Sequence, residues 1–258
     1  MSELNPYQSP AAPSAGVTTT EGAFIASGRA VDIGHSWDWI VSGFGLFKKQ
    51  PGMWILIVIA YFLIVCVLSV IPLIGSLANM LLYPVFTAGL MLGCRVLEQS
   101  EGLEFGHLFA GFKQNTGNLV VLGLLTLVGW IIILIPMMVI VGGGAFFAVM
   151  RGDPSAVAAF GLTFFLALLV VLALSIPLYM ALWFAPSLIV FHKLAPVEAM
   201  KSSFFACLKN IAAFLLYGVI LLALSVIAAI PFGLGFLILV PVIIASIYTA
   251  YRDVYFVG

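Results

Sequence analysis

Charged residues make up only 8% of this 258-residue chain, against 64% apolar residues, where a soluble domain carries about a quarter charged. So little charge excludes an ordinary water-facing surface, and the apolar excess needs lipid to cover it. Ten Lys and Arg balance ten Asp and Glu, which leaves no net charge to attract nucleic acid or a broadly acidic ligand. Cysteine is nearly absent. Cys66, Cys94 and Cys207 are odd in number, lie in apolar or amphipathic sequence and share no CxxC or CxxH spacing, so they read as small buried hydrophobes and not as redox or metal groups. GxSxG, P-loop and HExxH signatures are all missing, so no catalytic site and no cofactor are expected. An enzyme would need Arg95, His107, His192, Arg252 and Asp253 to converge. No secretory leader is expected either, because the start has neither basic residues nor an apolar core of roughly 7 to 15 residues.

What is present divides the chain in two. Residues 1–35 are rich in Ser, Thr, Ala, Pro and Gly without an apolar run, the composition of a disordered tail. Residues 36–258 hold the membrane domain. A spanning helix needs roughly 20 apolar residues to cross a hydrocarbon core about 30 Å thick. Five segments without Asp, Glu, Lys, Arg or His fit directly: Met53–Pro72, Ile74–Cys94, Leu119–Val141, Ile211–Ile230 and Gly233–Tyr251. The run 156–191 is too long for one straight span. Pro177 and Pro186 offer kinks, so it is read as one long kinked helix projecting beyond the membrane on the charged side. The fold expected is all-α, a bundle of six transmembrane helices.

That count places Arg29, Lys48, Lys49, Arg95, Lys113, Lys193, Lys201, Lys209 and Arg252 on the N-terminal side and only Arg151 on the other. Basic residues in short loops stay in the cytoplasm, so both termini are expected there, in a bacterial inner membrane. A seven-span reading would scatter Lys193, Lys201 and Lys209 to the outside.

A threefold pattern runs through the membrane domain. Trp37, Ile40, Val41, Phe44 and Phe47 repeat at helical spacing before Lys48 and Lys49; Phe105, Leu108, Phe109 and Phe112 do so before Lys113; Val197, Met200, Phe204 and Leu208 lead to Lys209. Each stretch precedes a hairpin of two spans. Lying in the headgroup layer, such helices serve as topological anchors or, more specifically, as sensors of anionic lipid. A second repeat relates PVFTAGLMLGCR, 84–95, to PVIIASIYTAYR, 241–252, each ending in Arg at a helix C-terminus where the dipole favours a cation. The candidate contacts for anionic lipid are Lys48, Lys49, Arg95, Lys113, Lys209 and Arg252.

Gly89 and Gly93 form a GxxxG, which packs helices within the bundle or across a dimer. Pro72, Pro84, Pro136, Pro177, Pro186, Pro231 and Pro241, with Gly142, Gly143 and Gly144, interrupt the apolar runs as in transporters that use broken helices. The absence of charge within the spans argues against ion-coupled transport. Glu98, Glu101, Glu104 and His107 contain one ExxH where a di-iron bundle needs two, so no metal is expected.

The strings MALWFAPSLIVFH (180–192), SSFFACLKNIAAFLLYG (202–218) and SIYTAYRDVYF (246–256), together with SWDWIVSGFGLFKKQPGMW and LFAGFK, resemble an uncharacterised family of bacterial multi-pass inner-membrane proteins. More distantly, the pattern is similar to the membrane domain of some glycerophosphodiester phosphodiesterases, whose catalytic domain has no counterpart here. The resemblance implies location and architecture, with no reaction and no site residues. The leading expectation is a non-enzymatic membrane protein that binds or organises lipid, a membrane-protein partner or a second copy of itself. The alternative is a transporter or channel for a small neutral or amphiphilic molecule, with a cavity lined by Asn79, Tyr83, Thr87, Ser175, Tyr179, Tyr217 and Ser225.

Overall fold

The computed structural model describes residues 22–152 and 154–257, with the backbone alone at 140, 144–149 and 154–159. Residues 1–21 of the expected tail lie outside the described residues. Within them, nine α-helices and one 3₁₀ helix follow in order: α1 (His35–Lys49), α2 (Pro51–Ser69), α3 (Ile74–Glu98), the 3₁₀ helix (Phe105–Phe112), α4 (Thr116–Arg151), α5 (Pro154–Trp183), α6 (Ala185–His192), α7 (Pro196–Lys209), α8 (Ile211–Ala229) and α9 (Phe236–Tyr255). Six segments are long and apolar enough to cross a membrane, and they match the six read from the sequence: α2, α3, Thr116–Gly143, Phe160–His192, α8 and α9.

Proline marks starts and is absorbed in interiors. Pro51 opens α2 and Pro196 opens α7, positions whose N–H would lack a helical partner anyway. Pro84, Pro136, Pro177 and Pro241 sit inside continuous helices, and α4 also runs through 142–144. The expected breaks at these positions are therefore absent, because membrane helices tolerate an interior proline when neighbours satisfy the freed carbonyl.

The run 156–191 forms one candidate span, as expected, but its helix is fully interrupted beside Pro186, one of the two expected kinks. It stops at Phe184 and restarts as α6. The cause is a hydroxyl inserted into the helical ladder: Ser203 Oγ on α7 accepts the Phe184 N–H at 2.9 Å and donates to the Met180 carbonyl at 2.7 Å. Pro186, next to the break, supplies no N–H of its own. The surplus length also lies at the other end. At 1.5 Å per residue α4 runs about 54 Å, so the α4–α5 hairpin, carrying Arg151 near its tip, outreaches the hairpin begun by the 19-residue α2.

The packed core gathers at the end that carries the basic residues. In α2 only Trp54 and Ile57, near its start, are buried, whereas α3 is buried from Pro84 to Leu97 and α9 from Leu239 to Tyr255. The remaining faces of α2, α4, α5 and α8 are largely uncovered and apolar, as expected where lipid is the solvent.

The three units close into a ring. Each interfacial element packs on the second helix of the preceding hairpin: the 3₁₀ helix on α3, α7 on α5, and α1 on α9. The repeat seen in the sequence is a repeat of burial, since Pro84, Val85, Ala88, Gly89, Met91 and Cys94 are buried in α3 and Pro241, Val242, Ala245, Ser246, Tyr248 and Tyr251 at the same phase in α9. A third copy, Pro177 to Ala181, has the same proline-to-alanine spacing on α5.

Candidate functional site

The basic end is assembled from helix termini. Arg95 in the last turn of α3 and Arg252 in the last turn of α9 converge on a recess of ≈ 160 Å³ lined also by Phe191, His192, Tyr248, Tyr251 and Phe256. Arg95 lies 5.4 Å above the Phe191 ring and Arg252 lies 4.5 Å above the Phe256 ring, within reach of cation–π attraction. The Glu98 carboxylate accepts the Tyr248 hydroxyl at 2.5 Å and lies 3.4 Å from Arg252 Nε. His192 Nε2 is 2.6 Å from the Tyr251 hydroxyl, and Phe24 stacks on its ring. Helix C-termini each carry roughly half a negative charge. Two arginines against two such ends and a carboxylate leave little surplus, so this cluster reads as helix capping and not as an anion seat.

The segment 24–31, assigned to the tail by the sequence reading, is instead fastened to the bundle. Phe24 bridges Phe256, and the amides of Ile25 and Arg29 donate to Tyr255 and Val254 at 2.8 Å each. Asp253 is the hub: it accepts from the Arg29 guanidinium, from Trp39 Nε1 at 2.8 Å, and meets His35 Nδ1 at 2.7 Å. Buried Asn210 holds the next stretch, accepting from Val31 N–H at 2.7 Å and donating to the Arg29 carbonyl at 2.8 Å. Scattered Ser, Ala and Gly conceal this segment in the sequence; Phe24 and Arg29 are its signal.

The candidate lipid contacts separate into two groups. Lys49 Nζ donates to the Leu97 carbonyl, and Lys209 Nζ to those of Ser27 and Gly28 at 2.9 and 3.1 Å. Lys48 and Lys113 point outward, Lys48 over the Phe44 ring at 5.2 Å and Lys113 at the C-cap of the 3₁₀ helix. Around them lie uncovered apolar faces. On α1, Trp39, Ile40, Gly43, Leu46 and Phe47 are buried in the bundle, while Trp37, Val41 and Phe44 are 54%, 50% and 42% exposed on the opposite side. The stripe read from the sequence thus merges two faces, with Ile40 and Phe47 belonging to the core. On α7 the small residues Ala199, Ser203 and Ala206 face inward, and Val197, Phe205 and Leu208 face out. The second stretch is a 3₁₀ helix; it exposes Phe105, Phe109 and Phe112 and buries Leu108. Cys207 is buried and its thiol is pushed up to about 12, chiefly by desolvation.

The GxxxG serves the interior of this chain. A Cβ built on Gly89 would meet the His107 carbonyl at 2.6 Å, and one on Gly93 would meet the Leu103 side chain at 2.7 Å. Both therefore seat the 3₁₀ helix and its lead-in against α3. Glu104 and His107 form a capping box at that helix, the Glu104 N–H donating to His107 Nδ1 at 2.9 Å. Among the described residues no group of three or more His, Cys, Asp or Glu could hold a metal. Of the five residues an enzyme would need, Arg95, His192 and Arg252 meet in the recess, His107 lies in the capping box and Asp253 in its own hub. Of the residues expected to line a transport cavity, Tyr83 lies close to Thr87 and Tyr179. Thr87, Ser175 and Ser225 donate to their own helices, Tyr217 is buried against Ser246, and Tyr83 and Tyr179 are more than half exposed.

No family model matches the chain, and no solved structure matches it. A probable inner membrane protein of Burkholderia thailandensis is 31% identical over 207 residues, covering 76% of this chain and 75% of that protein. The similarity brings no link to the glycerophosphodiester phosphodiesterases. With nearly a third of the residues identical along about three quarters of both chains, this six-span protein belongs to the family of that probable inner membrane protein.

Proposed function

We propose that the protein is a non-enzymatic membrane component whose basic end faces the cytoplasm and binds or organises anionic lipid. The supporting observation is the double-faced α1. Its inner face, Trp39, Ile40, Gly43, Leu46 and Phe47, already fixes it in the bundle, so anchoring does not call for the outer face of Trp37, Val41 and Phe44 beside Lys48. The 3₁₀ helix and α7 likewise expose Phe105, Phe109 and Phe112, and Val197, Phe205 and Leu208, on helices that carry Lys113 and Lys201. An amphipathic face of this kind lies in the headgroup layer, where each Lys adds about 1 kcal/mol near anionic lipid. The clustering of basic residues at this end supports the cytoplasmic orientation.

The test uses the full chain in vesicles mixing phosphatidylcholine and phosphatidylglycerol, with retained lipids counted by native mass spectrometry. The expected result is enrichment of phosphatidylglycerol, lowered about fivefold for each of Lys48→Gln and Lys113→Gln. Retained lipid in the same proportion as the mixture, unchanged by the substitutions, would remove the basis of the reading.

A further inference from the structure

One unit of the ring departs from the other two. Ala88 on α3 and Ala245 on α9 are fully buried, with the 3₁₀ helix seated at Gly89 and α1 at Ser246. Their counterpart on α5, Ala181, is only half-buried. The reason lies in the partner helix. Gly43 lets α1 approach the backbone of α9, a Cβ there meeting Ser246 N at 2.6 Å; α7 carries Ser203 at the same distance before its closing lysine, and that hydroxyl is set into the break after α5. What remains is an open groove of ≈ 680 Å³ between Leu125 of α4, Ala181 of α5 and Val197, Met200, Phe204 and Phe205 of α7. Lys201 is the cation in its lining, and it makes no hydrogen bond or ion pair among the described residues.

The volume lies within the range of small-molecule sites, roughly 300–1,000 Å³. A groove walled by aliphatic and aromatic side chains, bordered by an interfacial helix and carrying one unpaired cation, matches an amphiphile with an apolar chain and an anionic head. We propose that the α4–α5–α7 groove holds a single anionic phospholipid, one acyl chain lying along Leu125, Ala181 and Phe205 and the headgroup phosphate meeting Lys201. This rests on the reading that the basic end sits in the headgroup layer, but it assigns a discrete site where that reading needs only a preference of the surface as a whole.

The experiment is native mass spectrometry of the full chain released from vesicles containing phosphatidylglycerol or phosphatidylcholine of the same chain length. The wild type is expected to hold one phosphatidylglycerol after the looser lipids are stripped. Lys201→Gln is expected to lower that occupancy about fivefold while leaving the fold intact, since the side chain is exposed and unpaired. Ala181→Phe, which fills the groove, is expected to abolish retention of either lipid, with thermal unfolding checked alongside. Loss with Ala181→Phe but not Lys201→Gln would overturn the headgroup assignment; loss with Lys201→Gln alone would place the lipid on the surface and overturn the groove. A dimer that Ala181→Phe disperses would give the groove to a second copy of the chain and overturn the proposal. If Lys48→Gln and Lys113→Gln erase the bulk preference while the single retained lipid persists, the groove stands independently of that reading.

Discussion

Alanine substitutions at glycines separate close backbone contact from unused space. A Cβ on Gly111, in the 3₁₀ helix, would stand 2.0 Å from the Val85 carbonyl oxygen of α3, while ordinary contact begins near 3.4 Å. Gly111→Ala must therefore drive the two helices apart by about 1.4 Å or bend one of them, and overpacking of this kind costs about 1–3 kcal/mol. Gly89→Ala meets the His107 carbonyl at 2.6 Å and needs a smaller shift, partly offset by up to about 1 kcal/mol of helix propensity. Gly218, inside α8, has nothing within 4 Å of its Cβ position, so Gly218→Ala keeps the propensity gain without the clash. Thermal unfolding in detergent, followed by circular dichroism, reads these differences at about 2–4 °C per kcal/mol for a chain of this size. The melting temperature is expected to fall most for Gly111→Ala, less for Gly89→Ala, and to hold or rise for Gly218→Ala. If Gly111→Ala melts with the wild type, or all three fall alike, the seat of the 3₁₀ helix on α3 is wrong. A change of oligomeric state with Gly89→Ala would move the GxxxG to a subunit interface instead.

Three further outcomes are expected. Ser203→Ala strands the buried Phe184 N–H and leaves the Met180 carbonyl without its bridge, which lowers stability by about 1–3 kcal/mol; chemical denaturation measures it, and an unchanged midpoint would mean the hydroxyl is not set into the helix. Asp253→Asn removes the ion pair with Arg29 and weakens the contacts to His35 and Trp39; hydrogen exchange at the amides of Ile25 and Arg29 should quicken by roughly tenfold or more, as loss of a charge-assisted bond implies. With its pKa raised to about 12, Cys207 carries about a thousandfold less thiolate at neutral pH than a thiol at the reference value of 9.0, so maleimide should leave it unlabelled until the chain is unfolded. Rapid labelling of Cys207 in the folded protein would contradict its burial.

The six spans were legible because uncharged apolar runs of bilayer length admit few other structures in any solvent. The α3–α9 repeat was legible because Arg95 and Arg252 close matching strings. Its third copy was hidden, since the place of those arginines, counted from Pro177, is taken by Leu188, and the helix has already broken at Phe184. That break is a tertiary event: Pro186 signals it, but the hydroxyl that completes it arrives from Ser203 on another helix. The amphipathic stretches were legible as apolar periodicity and misread in direction. With Ile40, Val41, Phe44 and Phe47 all apolar, hydrophobic spacing alone cannot say which residues meet protein and which meet lipid; Gly43, at the close crossing with α9, marks the inner face. The fastening of residues 24–31 depends on Asp253 and Asn210, far away in the chain, and locally only Phe24 and Arg29 hint at it.

Lipid binding at the basic end requires the outer face of α1 to lie in the headgroup layer. Its direct test is a series of nitroxide labels at positions 37, 41 and 44, in a chain whose native cysteines are replaced by alanine, with label depth measured from oxygen and nickel-chelate accessibility in vesicles containing phosphatidylglycerol. All three labels are expected to sit about 5–10 Å into the boundary between headgroups and acyl chains, and a control label replacing Asp38 at position 38 is expected to stay in water. Aqueous accessibility at positions 37, 41 and 44 equal to that at position 38 would contradict it.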